Sequence, residues 1–256
     1  MKLPTVIKSL VLCLCMGMVA IPAPAGEPLH IAYPDFPPFH WRDGQGRMHG
    51  FFYEIISEAV EQRLGVPIVW EAAPWARCQA HVKNGLADAM LTVPTRKRAE
   101  YSLACQEPFY IKRMQAFTYS GHPRLAEIQA LRELADIREA GLSVITYNEN
   151  GWNKAHVEPL GITVQTANSL QSVWRMLALK RGDLVIEWPP AARPDIRALG
   201  LEQDIVQTGV VLGSMSFHLL IGKQSAHIGL LTGFDDAIRA MHTDGTLDRI
   251  IERVEH

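Results

Sequence analysis

The chain carries little charge, little cysteine and, beyond its first 25 residues, no long apolar run. Charged residues fill only 20% of the 256 positions, and 25 Lys and Arg face 27 Asp and Glu for a formal net charge of −2. A general nucleic-acid or anionic-membrane binder needs a basic excess to displace counterions, so neither partner is expected. An apolar content of 48% excludes a disordered chain and leaves room for one large domain or two small ones. No repeat and no low-complexity tract is present. Four cysteines are too few for a disulfide-built scaffold. Ten histidines lie scattered without a ligand-like cluster, so no metal and no cofactor are expected.

What is present begins with a leader pattern. Lys2 and Lys8 precede an apolar run, Leu10 to Ile21, which is followed by Ala23-Pro24-Ala25. The run is shorter than the ~20 residues that span a bilayer. Residues 1–25 therefore read as a secretory signal peptide cleaved after Ala25, and the mature protein is expected in the periplasm. Cys13 and Cys15 each follow a Leu, where a lipid-attachment site wants a small residue. Loss of two lysines leaves a mature chain of net −4 with two cysteines, Cys78 and Cys105. In an oxidising compartment this pair is expected to form a disulfide worth about 3 kcal/mol, with two buried thiols as the alternative.

Strand and helix signals then alternate. Leu29 to Tyr33 alternates as a strand, and Pro34, Pro37 and Pro38 force an extended loop after it. Ile55, Ile56, Ala59, Val60 and Leu64 share one face of a helix over 52–64, with Gly65 placed to end it. A strand over 66–70, a helix opened by Pro74 and ended at Asn84-Gly85, and a strand over 87–93 complete a βαβαβ set. The pattern restarts with strands at 142–147 and 162–165, a helix capped by Ser169, and a short strand at 184–186. Two such sets predict two α/β lobes. The extended segments 115–119 and 217–221 are the candidate crossovers, and two C-terminal helices, 228–241 and 246–254, return to the first lobe. The predicted division is 26–116 plus 218–256 for lobe 1 and 117–217 for lobe 2, with ligand expected between them at the carboxyl ends of the strands.

Several segments carry a resemblance in their order and spacing: Tyr33-Pro34-Asp35-Phe36-Pro37-Pro38-Phe39, Gly50-Phe51, Asn84-Gly85-Leu86-Ala87-Asp88-Ala89, Thr95-Arg96-Lys97-Arg98-Ala99-Glu100-Tyr101, Glu107-Pro108-Phe109-Tyr110, Arg181-Gly182-Asp183 and Asp244-Gly245-Thr246-Leu247. Over nearly all of the mature chain it resembles the periplasmic solute-binding proteins of the polar amino-acid type, family 3, which serve ABC importers. The resemblance implies the type 2 periplasmic-binding clamshell: two Rossmann-like lobes on two extended hinges, closing on a small solute.

The resemblance also implies site residues. Phe36 and Trp75 align with the aromatic pair that holds the ligand, although either ring can equally serve as core. Arg98 aligns with the arginine that grips a ligand carboxylate through two parallel hydrogen bonds, while Arg96 and Lys97 are left as solvated surface. Arg77, in the first turn of Trp75's helix, either adds positive charge to the cleft or pairs with a surface acid. Glu187, or less readily its neighbour Trp188, falls where amino-acid binders present a carboxylate to the ligand's ammonium. Tyr147 and Asn148 are weaker candidates after the second lobe's first strand. Leu91 and Val93 stand where the family offers small polar residues, with Thr92 expected on the other face, so the α-amino-acid clamp is incomplete.

The expected function is a monomeric, non-catalytic receptor for a carboxylate-bearing solute, an amino acid or related compound, feeding an ABC transporter permease or a membrane sensor. The rival is an enzyme on the same scaffold, because periplasmic cyclohexadienyl dehydratases resemble the family closely. Glu187 would be its proton donor, and no second acid or base stands at a diagnostic spacing.

Overall fold

The structure, a computed structural model, describes residues 27–255, so the leader and its cleavage point after Ala25 lie outside the described residues. The chain opens with β1 (Leu29–Tyr33), a short hairpin of β2 (Trp41–Arg42) and β3 (Met48–His49), and helix α1 (Phe51–Ile56), which continues in a wider π winding over Ser57–Arg63. Then follow β4 (Ile68–Ala72), α2 (Trp75–Lys83), β5 (Ala89–Thr92), α3 (Arg96–Ala99), β6 (Ser102–Ala104) and the long β7 (Tyr110–Tyr119). The second lobe holds α4 (Leu125–Gln129), α5 (Leu134–Glu139), β8 (Val144–Tyr147), α6 (Gly151–His156), β9 (Val164–Ala167), α7 (Leu170–Ala178), β10 (Val185–Glu187) and α8 (Pro189–Ala198). The 18-residue strand β11 (Ile205–Gly222) leads back to α9 (Leu230–Thr243) and α10 (Thr246–Glu255).

The main sheet runs β10-β7-β11-β5-β1-β4, with β6 also on β11. β1 pairs in parallel with β4 and β5, whereas β11 runs antiparallel to β5 and β7. In the second lobe β8 and β9 are parallel, and a bridge from Val144 to Leu184 carries them to β10. β7 and β11 are thus the two extended connections between α/β lobes. Both exceed the expected 115–119 and 217–221, because their mutual pairing extends from Ile205 opposite Tyr119 to Phe217 opposite Tyr110. The register slips between Gln207 and Gly213.

Local choices explain the elements. Ile55, Ile56, Ala59 and Val60 are fully buried on the predicted face, packed with Phe234 and Ile238 of α9 and Leu247 of α10, each large side chain worth about 1.5–3 kcal/mol. α10 also lies against α1. Ser169 accepts the Ser172 N–H at 3.2 Å as the expected cap of α7, and Gly65, at φ +68, follows the π-helical turn. Elements with short or weakly periodic sequence, such as α3, α4, α5 and β6, were not expected.

One expectation fails at the cysteines. Cys78 and Cys105 are free and buried. β11 explains the separation: its successive side chains face opposite sides of the sheet. Cys78 packs with Leu220, Ala32 and Met90 beneath α2, whereas Cys105 packs in the cluster that holds Leu219 and Phe109. The sheet stands between the two thiols. Each instead meets a backbone carbonyl, Cys78 that of Ala73 at 3.2 Å and Cys105 that of Glu107 at 3.1 Å.

Candidate functional site

The loop after β1 builds the first wall. Phe36 and His40 exchange backbone hydrogen bonds, Phe36 N–H to His40 C=O at 2.8 Å and His40 N–H to Phe36 C=O at 3.2 Å, so residues 36–40 form a tight turn. The carbonyls of Pro38 and Phe39 accept the N–H groups of Phe51 and Phe52, donors that the start of α1 leaves without a helical partner. Gly50 lets the helix approach: its φ is +108°, and a Cβ there would lie 2.3 Å from the Phe39 carbonyl oxygen. This docking turns Phe36 outward, 48% exposed, and buries Phe39.

The resulting cleft, about 370 Å³, is lined by Pro34, Asp35, Phe36, His40, Phe52, Trp75, Leu91, Thr92 and Phe217. It lies where β1 and β5 end and α2 begins, as expected for a site at the carboxyl edge of the sheet. Phe36 and Trp75 therefore share one cavity. Thr92 lines it together with Leu91, contrary to the expectation that it turns away; both are buried at the end of β5.

Arg98 is not in the lining itself but reaches it through Trp75, on whose ring it stacks. Thr95 caps α3 by accepting the Arg98 N–H at 3.3 Å. The guanidinium donates to the Val93 carbonyl at 2.6 Å and to Gln79 Oε1 at 3.2 Å, and its Cζ lies 5.2 Å from the centre of the Trp75 ring. It is half-buried, and burial draws its pKa down. No carboxylate pairs with it among the described residues. A partly desolvated cation held by neutral acceptors and a ring face is a ready anion site. Arg77 is exposed and outside the lining of this cleft.

The second-lobe candidates lie apart from that lining. Glu187 ends β10 at 6% exposure, and one of its oxygens accepts the Trp188 N–H at 2.8 Å. Burial raises its pKa, opposed by that hydrogen bond and by Lys112. Tyr147 is half-buried, its phenol pushed up by burial and by the charge of Glu187, so these two are neighbours. Asn148 is exposed and donates to Asn168 Oδ1 at 3.1 Å.

Two features escaped sequence reasoning. His40 lines the cleft at 3% exposure with neither ring nitrogen hydrogen-bonded, and burial pushes its pKa down to about 4, so it is neutral. Its place next to Phe39 in the proline-rich loop was the available signal. The second is a stack of rings: Phe36 on Phe39 (centroids 4.6 Å, planes 13° apart), Phe39 on Trp188 (4.9 Å, 19°), and the Lys112 ammonium 5.2 Å above Trp188. Trp188 Nε1 donates to Tyr110 Oη at 2.7 Å. Nothing in the local sequence around Trp188 announces a partner 149 positions away. Among the described residues, no group of three or more His, Cys, Asp or Glu is placed to hold a metal, and no helix is long and apolar enough to cross a membrane.

Comparison with known proteins places this geometry. The open-form, unliganded L-cystine solute receptor of Neisseria gonorrhoeae is similar at a TM-score of 0.68, with 17% identity, over 89% of this chain and 92% of that one. The second substrate-binding domain of Lactococcus lactis GlnP, in an open conformation, gives 0.64 at 18% identity over 91% and 97%. A histidine kinase sensor domain with similarity to periplasmic binding proteins gives 0.57 at 18% identity over 89% and 96%. No curated protein sequence matches. The fold is the type 2 periplasmic-binding clamshell. The profile of the bacterial extracellular solute-binding proteins, family 3, matches residues 29–254, from the first strand to the last helix, and the chain belongs to that family.

Proposed function

We propose that the protein is a non-catalytic, monomeric receptor that closes on a small carboxylate-bearing solute in the periplasm and presents it to an ABC transporter permease or a membrane sensor. The observation that carries this reading is Arg98: half-buried, without a carboxylate partner, and stacked over Trp75, whose ring lines an apolar cleft. Its guanidinium takes the solute carboxylate, and Phe36 and Trp75 pack on the apolar body. The lobes divide at 26–116 plus 218–256 and 117–217, and closure brings the wall carrying Tyr147 and Glu187 over the solute. Both delivery routes have relatives in fold, a transporter's substrate-binding domain and a kinase sensor domain.

A thermal-shift screen of amino acids, dicarboxylates and opines should give a hit that Arg98→Ala weakens by ~30-fold to ~1000-fold, the effect of losing one charge-assisted pair in a closed cleft. Unchanged affinity in the variant would remove Arg98 as the anchor.

A lyase reading has one supporting observation, the raised pKa of Glu187. Against it, one oxygen of Glu187 is engaged by the Trp188 amide, and no second acid or base stands beside it at a diagnostic spacing. Incubation with prephenate or arogenate should yield no aromatic product; turnover would establish an enzyme.

A further inference from the structure

We infer that the recess between β7 and the start of α8 is a binding site for a small oxyanion, inorganic phosphate or sulfate, separate from the cleft after β1. The recess measures about 70 Å³ and is lined by Arg113 and Gln115 of β7 and by Trp188, Pro189, Pro190 and Arg193 where β10 leads into α8. It shares no lining residue with the cleft of Phe36 and Trp75. Two guanidiniums line it, and no carboxylate does. Like charges in one small space repel unless an opposite charge stands between them. Here neither is neutralised: among the described residues the Arg113 side chain makes no hydrogen bond or ion pair, and Arg193 reaches only the neutral Gln207. Arg113 also borders a larger cavity, about 460 Å³, that Glu107, Asp248 and Glu252 line, yet none of these acids bonds it.

The hydrogen-bond chemistry of the recess has one direction. Arg193 Nε donates to Gln207 Oε1 at 3.2 Å, and Gln207 Nε2 donates to Gln115 Oε1 at 2.8 Å. An arginine carries donors only, so it fixes the orientation of the Gln207 amide, and Gln207 fixes that of Gln115 in turn. The NH2 group of Gln115 is left over. Pro189 and Pro190 have no N–H, and Trp188 Nε1 is spent on Tyr110 Oη at 2.7 Å. The unused side-chain groups are therefore donors, on Arg113, Arg193 and Gln115, while the Gln115 oxygen is engaged. Lys112 adds a third cation, its ammonium 5.2 Å from the centre of the Trp188 ring. Guanidinium forks grip two oxygens of one phosphate or sulfate at a time. With ~10–15 Å³ of cavity needed per water, the recess has room for about five heavy atoms, the size of such an ion. Bound there, the ion ties β7 to α8 beside the indole that stacks on Phe39.

Calorimetry of the mature protein with inorganic phosphate and with sulfate, at an ionic strength held constant with chloride, tests the inference. At least one of the two should bind at a single site with a Kd of ~1 mM or tighter. Arg113→Gln and Arg193→Gln should each weaken that binding by about tenfold or more, and the double variant should abolish it. Both side chains reach solvent, so the melting temperature without anion should hold in each variant. Arg98→Gln, which removes the guanidinium stacked on Trp75, should leave the phosphate and sulfate affinities as they are. Binding that survives in the double variant, or that Arg98→Gln abolishes, would place the anion elsewhere and overturn the inference. A single variant with wild-type affinity would do the same, as would a wild type that binds both anions more weakly than ~1 mM.

Discussion

Trp188 stacks on Phe39 with ring centroids 4.9 Å apart and planes 19° from parallel, joining the end of the second lobe's β10 to the loop that follows β1 in the first. The indole is 2% exposed and its N–H is taken by Tyr110 on β7. The contact therefore combines aromatic packing with a satisfied buried donor, at the point where both lobes meet the strand between them.

Removing that indole should cost more than an ordinary core truncation. Trp188→Ala is expected to destabilise by about 3–5 kcal/mol, and Tyr110→Phe, which orphans the indole N–H, by about 1–3 kcal/mol. Urea denaturation of both variants checks this. A loss below 1 kcal/mol for Trp188→Ala would show that the stack adds nothing to stability, by the usual cost of such truncations.

His40 should make the protein acid-sensitive. Burial lowers its folded pKa from 6.5 to about 4, with Asp35 opposing. Between those values the unfolded chain binds a proton that the folded chain refuses, so stability falls as pH drops through that window and levels below it. The full effect is on the order of 3 kcal/mol. Unfolding curves at pH 7 and pH 4.5 should show a smaller loss for His40→Gln than for the wild type; equal losses would contradict the buried neutral imidazole.

Both thiols should be silent in the folded protein. Burial pushes Cys78 up to about 11 and Cys105 up to about 12, so neither is a thiolate at pH 8. A thiol reagent should label the mature protein twice after denaturation and negligibly before. A mass two hydrogens short, restored by reductant, would reveal a bridge and contradict the placement on opposite sides of the sheet.

Gly50 should resist substitution. Gly50→Ala forces a side chain into φ +108° and against the Phe39 carbonyl, at an expected cost above about 2 kcal/mol. Because the same turn presents Phe36, solute affinity should fall as well. Wild-type melting and affinity in the variant would show that the loop yields freely.

Much of the framework is legible in the sequence because it is local. β1 spans the expected Leu29 to Tyr33, since alternation and the following prolines bound it on both sides. Ser169 and Pro74 mark their helices through backbone chemistry that needs no distant partner. β11 is harder to read: Gly209 and Gly213 interrupt its pattern, and its length comes from pairing with β7 roughly a hundred positions earlier. The site divides the same way. Phe36 and Trp75 line the cleft from motif positions, and Arg98 stacks on Trp75 from another, whereas Asp35 and His40 owe their place in the lining to how the 36–40 turn docks on α1. The disulfide expectation failed because which face of a sheet a cysteine occupies is a tertiary fact.

The position of β11 between β7 and β5 has a consequence for biogenesis. A chain translocated from its amino terminus emerges with β5, β1 and β4 able to pair, but β5 keeps a bare flank until residues 218–221 arrive to cover it. That waiting flank is an invitation to intermolecular strand addition. Premature stops or proteolytic nicks upstream of β11 should therefore yield aggregates instead of a shortened but soluble product, and export of this protein is a commitment to its full length.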